Sequence, residues 1–196
     1  DSFRGGKGFY DFTARIIYKN SRCHEDSPQM AFYEGKLNHL WVDLFVIDRL
    51  PAGRAGAAAT KFLHMAVYGM AMAHRDKLDF GKYSLMNKIL VGGLATVGRV
   101  IPMKAIFAMQ KALALKDRNS KGRLRYYSNY QPDYLYVTIQ KEWCEEITDI
   151  EFEGETLMAS KYAHEVLTWV YGDYMKLPPE AERVPAHSTI DIQVFD

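Results

Sequence analysis

The sequence is poor in the features that mark several common kinds of functional site. Its 196 residues include only two cysteines, Cys23 and Cys144, which lie far apart and outside any CxxC or Cys/His spacing. We therefore expect neither a disulfide framework nor a zinc site, and two free thiols fit a reducing cytoplasm. Lys and Arg number 25 against 24 Asp and Glu, a formal net charge of +1. Charge thus gives no reason to expect a nucleic-acid partner.

Long apolar runs and phosphate-binding loops are also missing. No stretch approaches the roughly 20 apolar residues that span a bilayer. Gly5-Gly6-Lys7-Gly8 is rich in glycine, but its spacing differs from a Walker loop and no Ser or Thr follows the lysine, so a flexible lead-in is the simpler interpretation. With 48% apolar and 25% charged residues the chain can bury a core, and we expect a single domain over residues 1–196.

Two segments near the start show strand patterns. In residues 12–19, aromatic and aliphatic side chains alternate with polar ones, which is the period of a half-buried strand. Arg15 and Lys19 share the face opposite the aromatic residues, where they either meet a phosphate or are simply solvated. Residues 40–48 are apolar on both faces, which predicts a central strand that is covered on two sides.

Asp43 interrupts this second strand, on the same face as Trp41 and Phe45. An ionised carboxylate is costly to bury alone, so we expect Asp43 to be paired, hydrogen-bonded or bound to a metal. An ion pair with Arg15 or a similar base and a divalent cation both satisfy this demand, and the pattern alone leaves both open. Asp48, just ahead of Pro51, is more typical of a turn or a cap.

The middle of the chain is helical by its pattern. Apolar residues keep helical spacing in residues 60–77, 83–100 and 102–116. The last two segments predict a helical hairpin that covers the sheet, with attachment to a membrane surface as the alternative. A β-hairpin signal follows at residues 147–158, around Glu153-Gly154. Strands, then helices, then strands and a helix predict an α+β fold.

A tyrosine-rich segment lies between the helices and the hairpin, close to Arg123 and Arg125. Aromatic and basic side chains together can stack on a base or a sugar, while tyrosines are equally typical of half-buried strands. Both interpretations stay open. The tyrosines are Tyr126, Tyr127, Tyr130, Tyr134 and Tyr136.

The most distinctive stretch lies near the end of the chain. Residues 171–183 read Y-G-D-Y-M-K-L-P-P-E-A-E-R, and His187 follows. A helical pattern enters this stretch from Ser160, a plausible N-cap, and should end in a left-handed residue at Gly172. The two prolines then force an extended segment. By its pattern alone the stretch is a helix end followed by a surface loop.

Three segments together resemble the LicD family of phosphotransferases. Residues 41–51 are similar to the family's I-D-I-F-P-L-D-x-h-P segment, with Val46 where the family often has proline. Residues 150–154 resemble its h-x-F-E-G element, and residues 171–183 resemble its Y-G-D-Y-M-x-L-P-P-x-x-x-R motif with a following histidine. Order and spacing agree as well, and the resemblance extends over nearly the whole chain.

This resemblance implies a fold and a reaction. The fold would be a nucleotidyltransferase-like mixed sheet with a helical insert packed on it. The reaction would be Mg²⁺-dependent transfer of a phosphorylated alcohol, of the phosphocholine type, from a CDP-linked donor to a cell-surface glycan such as lipopolysaccharide, teichoic acid or capsule. Such catalysis rests on positioning and on neutralising phosphate charge. The expected location is the cytoplasm, with the inner face of the membrane as the alternative.

The resemblance also assigns residues to roles. Asp43 matches the family's third acidic residue, so it is expected to bind Mg²⁺ and to be catalytic. Arg15 and Lys19, on a neighbouring strand, are expected to contact the donor phosphates. The remaining substrate-binding residues are expected in the C-terminal motif: Tyr171, Asp173, Tyr174, Arg183 and His187.

One part of the family pattern has no counterpart before Asp43. This is the G-G-T-L-L-G…W-D-D-D-h-D segment, which holds the paired metal-binding aspartates; Asp11 stands alone. Either the sequence begins after that segment and the natural protein is a transferase, or the segment is lost. In the second case the chain would be a catalytically silent module that binds a glycan, a nucleotide or a partner. A D-x-D strand encoded upstream would favour the enzyme.

Overall fold

The computed structural model describes residues 8–23, 27–183 and 191–195. The first part contains strands and a short helix: β1 (Ala14–Tyr18), β2 (Ser21–Arg22), α1 (Pro28–Phe32), β3 (Leu40–Leu44) and β4 (Ile47–Arg49). The middle is helical, as predicted: α2 (Arg54–Ala71), α3 (Leu85–Gly98) and α4 (Met103–Lys116). The last part is mixed: β5 (Leu124–Tyr127), β6 (Thr138–Gln140), α5 (Lys141–Glu145), β7 (Ile147–Phe152), β8 (Glu155–Ser160), α6 (Ala163–Tyr171) and β9 (Gln193–Val194). The α+β class is confirmed.

The strands do not form the expected mixed sheet. In the part of the chain that the structure describes they make four small antiparallel sheets, β1–β3, β2–β9, β4–β5–β6 and β7–β8. The expected central strand over residues 40–48 is also wrong. It divides after Leu44 into β3 and β4, which pair with different strands, and Val42 is 63% exposed rather than covered. The nucleotidyltransferase-like arrangement stays a prediction.

The predicted β-hairpin is confirmed. β7 and β8 pair in register up to Phe152 and Glu155, so only Glu153 and Gly154 form the turn. Both turn residues have positive φ, 52° and 83°. Such values fit a tight turn whose twist matches that of the two strands, and glycine adopts them at little cost.

The main core lies between residues 9–12 and the helices α2 and α4. It is built from aromatic and aliphatic side chains: Phe9, Phe12, Val67, Tyr68, Ala71, Met72, Met103 and Ile106. α3 packs closely on α2 at Gly98, where a Cβ would lie only 2.0 Å from Met70 O; the absence of a side chain allows this approach. Taken singly, none of the described helices is long and apolar enough to cross a membrane; α3 and α4 together pass by length and composition but are bent by 116° at their break.

A smaller core joins the three-stranded sheet to α2. It contains Leu50, Tyr126 and Leu135. Tyr126 is fully buried, and its Oη lies 2.8 Å from Nε2 of the buried His64, a hydrogen bond. His64 is therefore a satisfied core histidine. β4, which follows the strand that carries Asp43, belongs to this sheet, so the small core anchors the chain directly after the candidate site.

Candidate functional site

β1 and β3 bring Arg15 and Asp43 directly opposite each other. The two residues are partners in the antiparallel register, so their side chains lie on the same face. Arg15 Nε lies 2.9 Å from Asp43 Oδ1. The contact lacks hydrogen-bond geometry, so it is an ionic contact. Of the two partners that the sequence left open for Asp43, the described structure shows the arginine.

A second carboxylate holds Arg15 from the other side. Arg15 Nη1 and Nη2 donate to the two oxygens of Asp11 at 2.8 and 2.6 Å, and such bidentate pairs are among the strongest in proteins. The rings of Tyr10 and Trp41 lie 5.2 and 5.4 Å from the guanidinium carbon, within cation–π range. Burial lowers the pKa of Arg15, but the hydrogen bonds to Asp11 and the charges of Asp11 and Asp43 outweigh burial and raise it.

The three charged side chains differ in exposure. The side chains of Asp11 and Arg15 are 3% and 8% exposed, whereas that of Asp43 is 34% exposed. One positive and two negative charges leave a net charge of −1, and the more exposed carboxylate presents it to solvent. The cluster can therefore attract a cation at Asp43. It also shields Arg15, so the expectation of a solvated Arg15 is wrong, and its contact with donor phosphates stays a prediction.

The described residues do not by themselves form a magnesium site. Among them, no group of three or more His, Cys, Asp or Glu side chains could hold a metal ion. Mg²⁺ takes near-octahedral oxygen ligands and keeps several waters. Asp43 offers one carboxylate, of which Oδ1 already faces Arg15. Magnesium at Asp43 therefore stays a prediction, and no catalytic step is assigned to it.

Asn129 fixes the corner between β3 and β4. Its Oδ1 accepts a hydrogen bond from Val46 N at 2.7 Å, and its Nδ2 donates to Leu44 O at 2.9 Å. The side-chain amide thus takes the place of a strand partner on both sides of Phe45. The backbone carbonyl of Asn129 accepts a bond from Thr13 Oγ1 at 3.3 Å. Sequence analysis missed this residue, because one asparagine among tyrosines carries no pattern.

Aromatic rings continue from this corner. The ring centroid of Tyr130 lies 4.4 Å from that of Phe45 and 4.4 Å from that of Tyr134. We call these three side chains the aromatic row; Phe45 and Tyr134 are 43% and 40% exposed. Burial raises the pKa of Tyr130, and Tyr134 and the negative charges of Asp43 and Asp11 raise it further. Since Phe45 follows Asp43 by two residues in the chain, the aromatic row begins beside the strand that carries this carboxylate.

The tyrosine-rich segment combines the two interpretations that its sequence left open. Tyr126 and Tyr127 belong to β5, which pairs with β4 and β6, so the interpretation as a half-buried strand is confirmed for them. Tyr130 and Tyr134 follow the strand and form the aromatic row. Stacking on a ligand stays a prediction for that pair.

Asp48 is neither a turn nor a cap residue, contrary to the expectation. It lies within β4 and lines a cavity of about 650 Å³, together with Lys104 and Lys111 of α4. Ala14 lines the same cavity and alternates with Arg15 along β1, so the cavity lies on the other side of that strand from the charged cluster.

The helix that enters the C-terminal motif ends where the sequence predicted. α6 stops at Tyr171, and Gly172 has a φ of 70°. Ser160 is not its N-cap, because the residue ends β8 and the helix begins only at Ala163. The hydroxyl of Ser160 still organises the junction, since its Oγ accepts from Tyr162 N at 3.0 Å. Ser160, which the helical pattern included, is thus paired with Ile147 as the last residue of β8.

The motif itself is largely turned outward. Tyr171 is 71% exposed, and Arg183 Nε donates to Pro178 O at 2.8 Å, which closes the double-proline turn on itself. The pKa of Tyr127 is raised by burial and then by the charges of neighbours that include Tyr171. The ring of Tyr127 itself lies 6.0 Å from that of Phe45, so β5 places a further ring beside the aromatic row.

The structure brings only part of the expected site together. Arg15 contacts Asp43, whereas Lys19 lies in the turn after β1, about 13 Å from Arg15 at a strand rise of 3.3 Å per residue. His187 lies outside the described residues. Within the described ranges, no hydrogen bond or ion pair joins Asp43 to the other expected residues, whose roles stay predictions. Those residues are Lys19, Tyr171, Asp173, Tyr174 and Arg183.

Comparison with known proteins finds a curated relative that matches most of this chain. The "Lipopolysaccharide cholinephosphotransferase LicD" of Haemophilus influenzae is 28% identical over 190 residues, which cover 90% of this chain. The similarity supports membership of the LicD family. The chain spans 66% of the length of that LicD protein. No family model matches the chain, and no solved structure matches it.

In this chain, the segment that resembles the family's I-D-I-F-P-L-D-x-h-P element has a defined geometry. Its two carboxylates lie in different sheets, Asp43 in β3 and Asp48 in β4. Val46 stands where the family often has proline, and its N–H is used by Asn129. A proline at this position would lack that donor. The corner is thus held here by a side-chain clamp.

Proposed function

We propose that the protein transfers a phosphorylated alcohol of the phosphocholine type from a CDP-linked donor to a cell-surface glycan. The LicD relative is named for transfer of choline phosphate to lipopolysaccharide. The observation that carries the proposal is the position of the exposed carboxylate of Asp43, which the resemblance marks as functional, two residues before Phe45, the first ring of the aromatic row. Both cysteines are free, which supports a reducing compartment such as the cytoplasm.

The chemistry of choline suits this pair of features. A quaternary ammonium group has no N–H to donate, so proteins recognise it through aromatic faces and negative charge. Phe45 and Tyr134 present exposed ring surface, and the cluster around Asp43 carries net negative charge. In the proposed complex the trimethylammonium group lies on the aromatic row. The carboxylate of Asp43 then balances the positive charge of that ammonium group.

The reaction exchanges one phosphorus–oxygen bond for another. The acceptor hydroxyl oxygen forms a bond to the phosphorus that carries choline, the bond from that phosphorus to the bridging oxygen breaks, and CMP leaves with the bridging oxygen. The hydroxyl proton passes to a base or to water. Mg²⁺ would supply charge neutralisation when bound. Arg15 acts as a positioning residue, because Asp11 holds its guanidinium group in place and that group in turn contacts Asp43.

The test is CMP release by the full-length protein from CDP-choline, compared with CDP-ethanolamine. Phe45→Leu and Tyr134→Leu keep apolar volume but remove ring faces, so we expect KM for CDP-choline to rise several-fold while kcat changes little. A matched control is Phe80→Leu, an exposed ring outside the segments that resemble the family. If CDP-ethanolamine were used as well as CDP-choline and the ring variants had no effect, the choline assignment would be wrong. Donor binding without CMP release would favour the silent binding module.

A further inference from the structure

Helix α3 turns a continuous apolar strip away from the rest of the chain. At 100° per residue, eight positions between 85 and 100 fall on one side of the helix. We call them the α3 strip: Leu85, Met86, Ile89, Leu90, Gly93, Thr96, Val97 and Val100. The six large apolar side chains among them are between 43% and 83% exposed. The opposite side of the helix packs on α2, where Leu94 contacts the position of Gly69.

The strip has one polar member, and it is already satisfied. Thr96 Oγ1 donates to Gly92 O at 2.8 Å within the helix. A hydroxyl whose hydrogen is used in this way costs less to move into an apolar phase than a free one. No unsatisfied polar side chain in the α3 strip therefore opposes its transfer out of water. In the part of the chain that the structure describes, no other element covers this apolar surface.

The strip is bordered by basic residues of its own helix segment. Residues 85–100 contain Lys88 and Arg99 and no Asp or Glu. Lys88 and Arg99 fall next to each other at one border of the strip, and both are exposed. Among the ion pairs of the described residues, neither has an acidic partner. An apolar face bordered by basic residues is the composition of a helix that lies in the interface of an anionic bilayer.

We propose that the α3 strip docks on the surface of a bilayer that contains anionic lipid, with the helix axis parallel to the surface. This attachment goes beyond the transferase proposal, because it needs no phosphoryl transfer. It would hold the protein at the interface without a membrane-spanning helix, as apolar side chains enter the acyl boundary and Lys88 and Arg99 meet the headgroups.

A second copy of the chain fits the strip less well. A 14-residue helix presents a face roughly 20 Å long and 10 Å wide, well below the about 800 Å² per partner of a stable protein interface. A two-fold contact would also set Lys88 and Arg99 of both copies along the same seam with no acidic residue from this segment to pair them. Charge and area therefore both favour lipid.

The experiment is co-sedimentation of the full chain with vesicles of phosphatidylcholine alone or with 30 mol% phosphatidylglycerol, together with light scattering to record mass. Met86→Glu and Met158→Glu form a matched pair, since the two methionines are 75% and 76% exposed and only the first lies on the strip. We expect the partition coefficient on anionic vesicles to fall at least about tenfold for Met86→Glu and to stay unchanged for Met158→Glu. Lys88→Gln and Arg99→Gln should each lower it about fivefold.

Each other outcome overturns the proposal. Equal losses for the two methionine variants would show non-specific adhesion of exposed apolar surface. A wild-type chain that leaves anionic vesicles in the supernatant would show that the strip does not bind lipid. A wild-type dimer that Met86→Glu converts to monomer would make a second copy the occupant. All readings are independent of CMP release, so the fate of the transferase proposal does not decide them.

Discussion

Asp43 and Asp11 hold the same guanidinium from two sides: Arg15 Nε lies 2.9 Å from Asp43 Oδ1, and both Nη atoms donate to Asp11. The two carboxylates nevertheless differ, because Asp11 is buried and Asp43 is one third exposed. Asp11 therefore serves to hold Arg15 in place, while Asp43 keeps a surface open to a ligand. We therefore expect mutation of Asp11 to act mainly on stability and mutation of Asp43 to act mainly on activity.

Neutralising the two carboxylates should cost very different amounts of stability. Asp11→Asn removes one partner of a buried ion pair, and we expect the free energy of unfolding to fall by about 3 kcal/mol. Asp43→Asn affects a partly solvated pair and should cost about 1 kcal/mol or less. Urea denaturation monitored by circular dichroism measures both. Equal losses would mean that Asp43 is as structural as Asp11.

The clamp at the β3–β4 corner gives a second prediction. Asn129→Ala leaves Val46 N–H and Leu44 C=O without the partner that they have now, and the free energy of unfolding should fall by about 2 kcal/mol or more. Asn87→Ala, at an exposed position in α3, serves as the control and should cause no loss. If the two variants were equally stable, solvent would be replacing the clamp.

Two glycines of one helix should respond in opposite directions to the same substitution. Gly98→Ala brings a Cβ to 2.0 Å from Met70 O, so α3 must move away from α2, and we expect a loss of about 3 kcal/mol in the free energy of unfolding. Gly93 has no heavy atom within 4 Å of such a Cβ. Gly93→Ala should therefore raise stability by about 0.5–1 kcal/mol, because alanine is the better helix former. Thermal and urea unfolding of both variants check the signs.

His64 should make folding sensitive to mild acid. Burial lowers the pKa of His64 from its usual 6.5 to about 4. Between these values the unfolded chain binds a proton that the folded chain does not, so stability rises with pH across this window and is lost as pH falls from about 6.5 towards about 4. The loss should be on the order of 3 kcal/mol. His64→Gln should flatten the dependence of the urea midpoint on pH in that window; an unchanged slope would assign it to other groups.

The parts of the fold that the sequence predicted correctly are those with local causes. Glu153-Gly154 marked a tight turn, Gly172 marked a helix end, and the apolar periods marked three helices. Each depends on the conformational preference of a few adjacent residues. Contacts between residues far apart in the sequence could not be predicted from such local preferences. Which strands pair, and where residues 40–48 divide, depends on a residue more than eighty positions away, Asn129.

The sequence also misjudged which side of β1 faces the protein. Alternation along the strand was right, but its polarity was reversed: Ile16 is 62% exposed, while the Arg15 side chain is buried. A charged residue is buried only when its partners are present, and Asp11 and Asp43 are separated from each other in sequence. The pattern could therefore name Arg15 as one partner of Asp43 but could not show that a second carboxylate secures it.

The most direct test is turnover of CDP-choline by the full-length protein with Asp43→Asn, beside Asp149→Asn on the exposed hairpin strand β7 as control. We predict that Asp43→Asn lowers kcat/KM for CMP release by about tenfold or more, because the charge that balances the choline ammonium group is lost. The urea midpoint should stay near that of the wild type, and Asp149→Asn should match the wild type in both. Normal turnover by Asp43→Asn would contradict a functional role for this carboxylate and leave it as the partner of Arg15 alone.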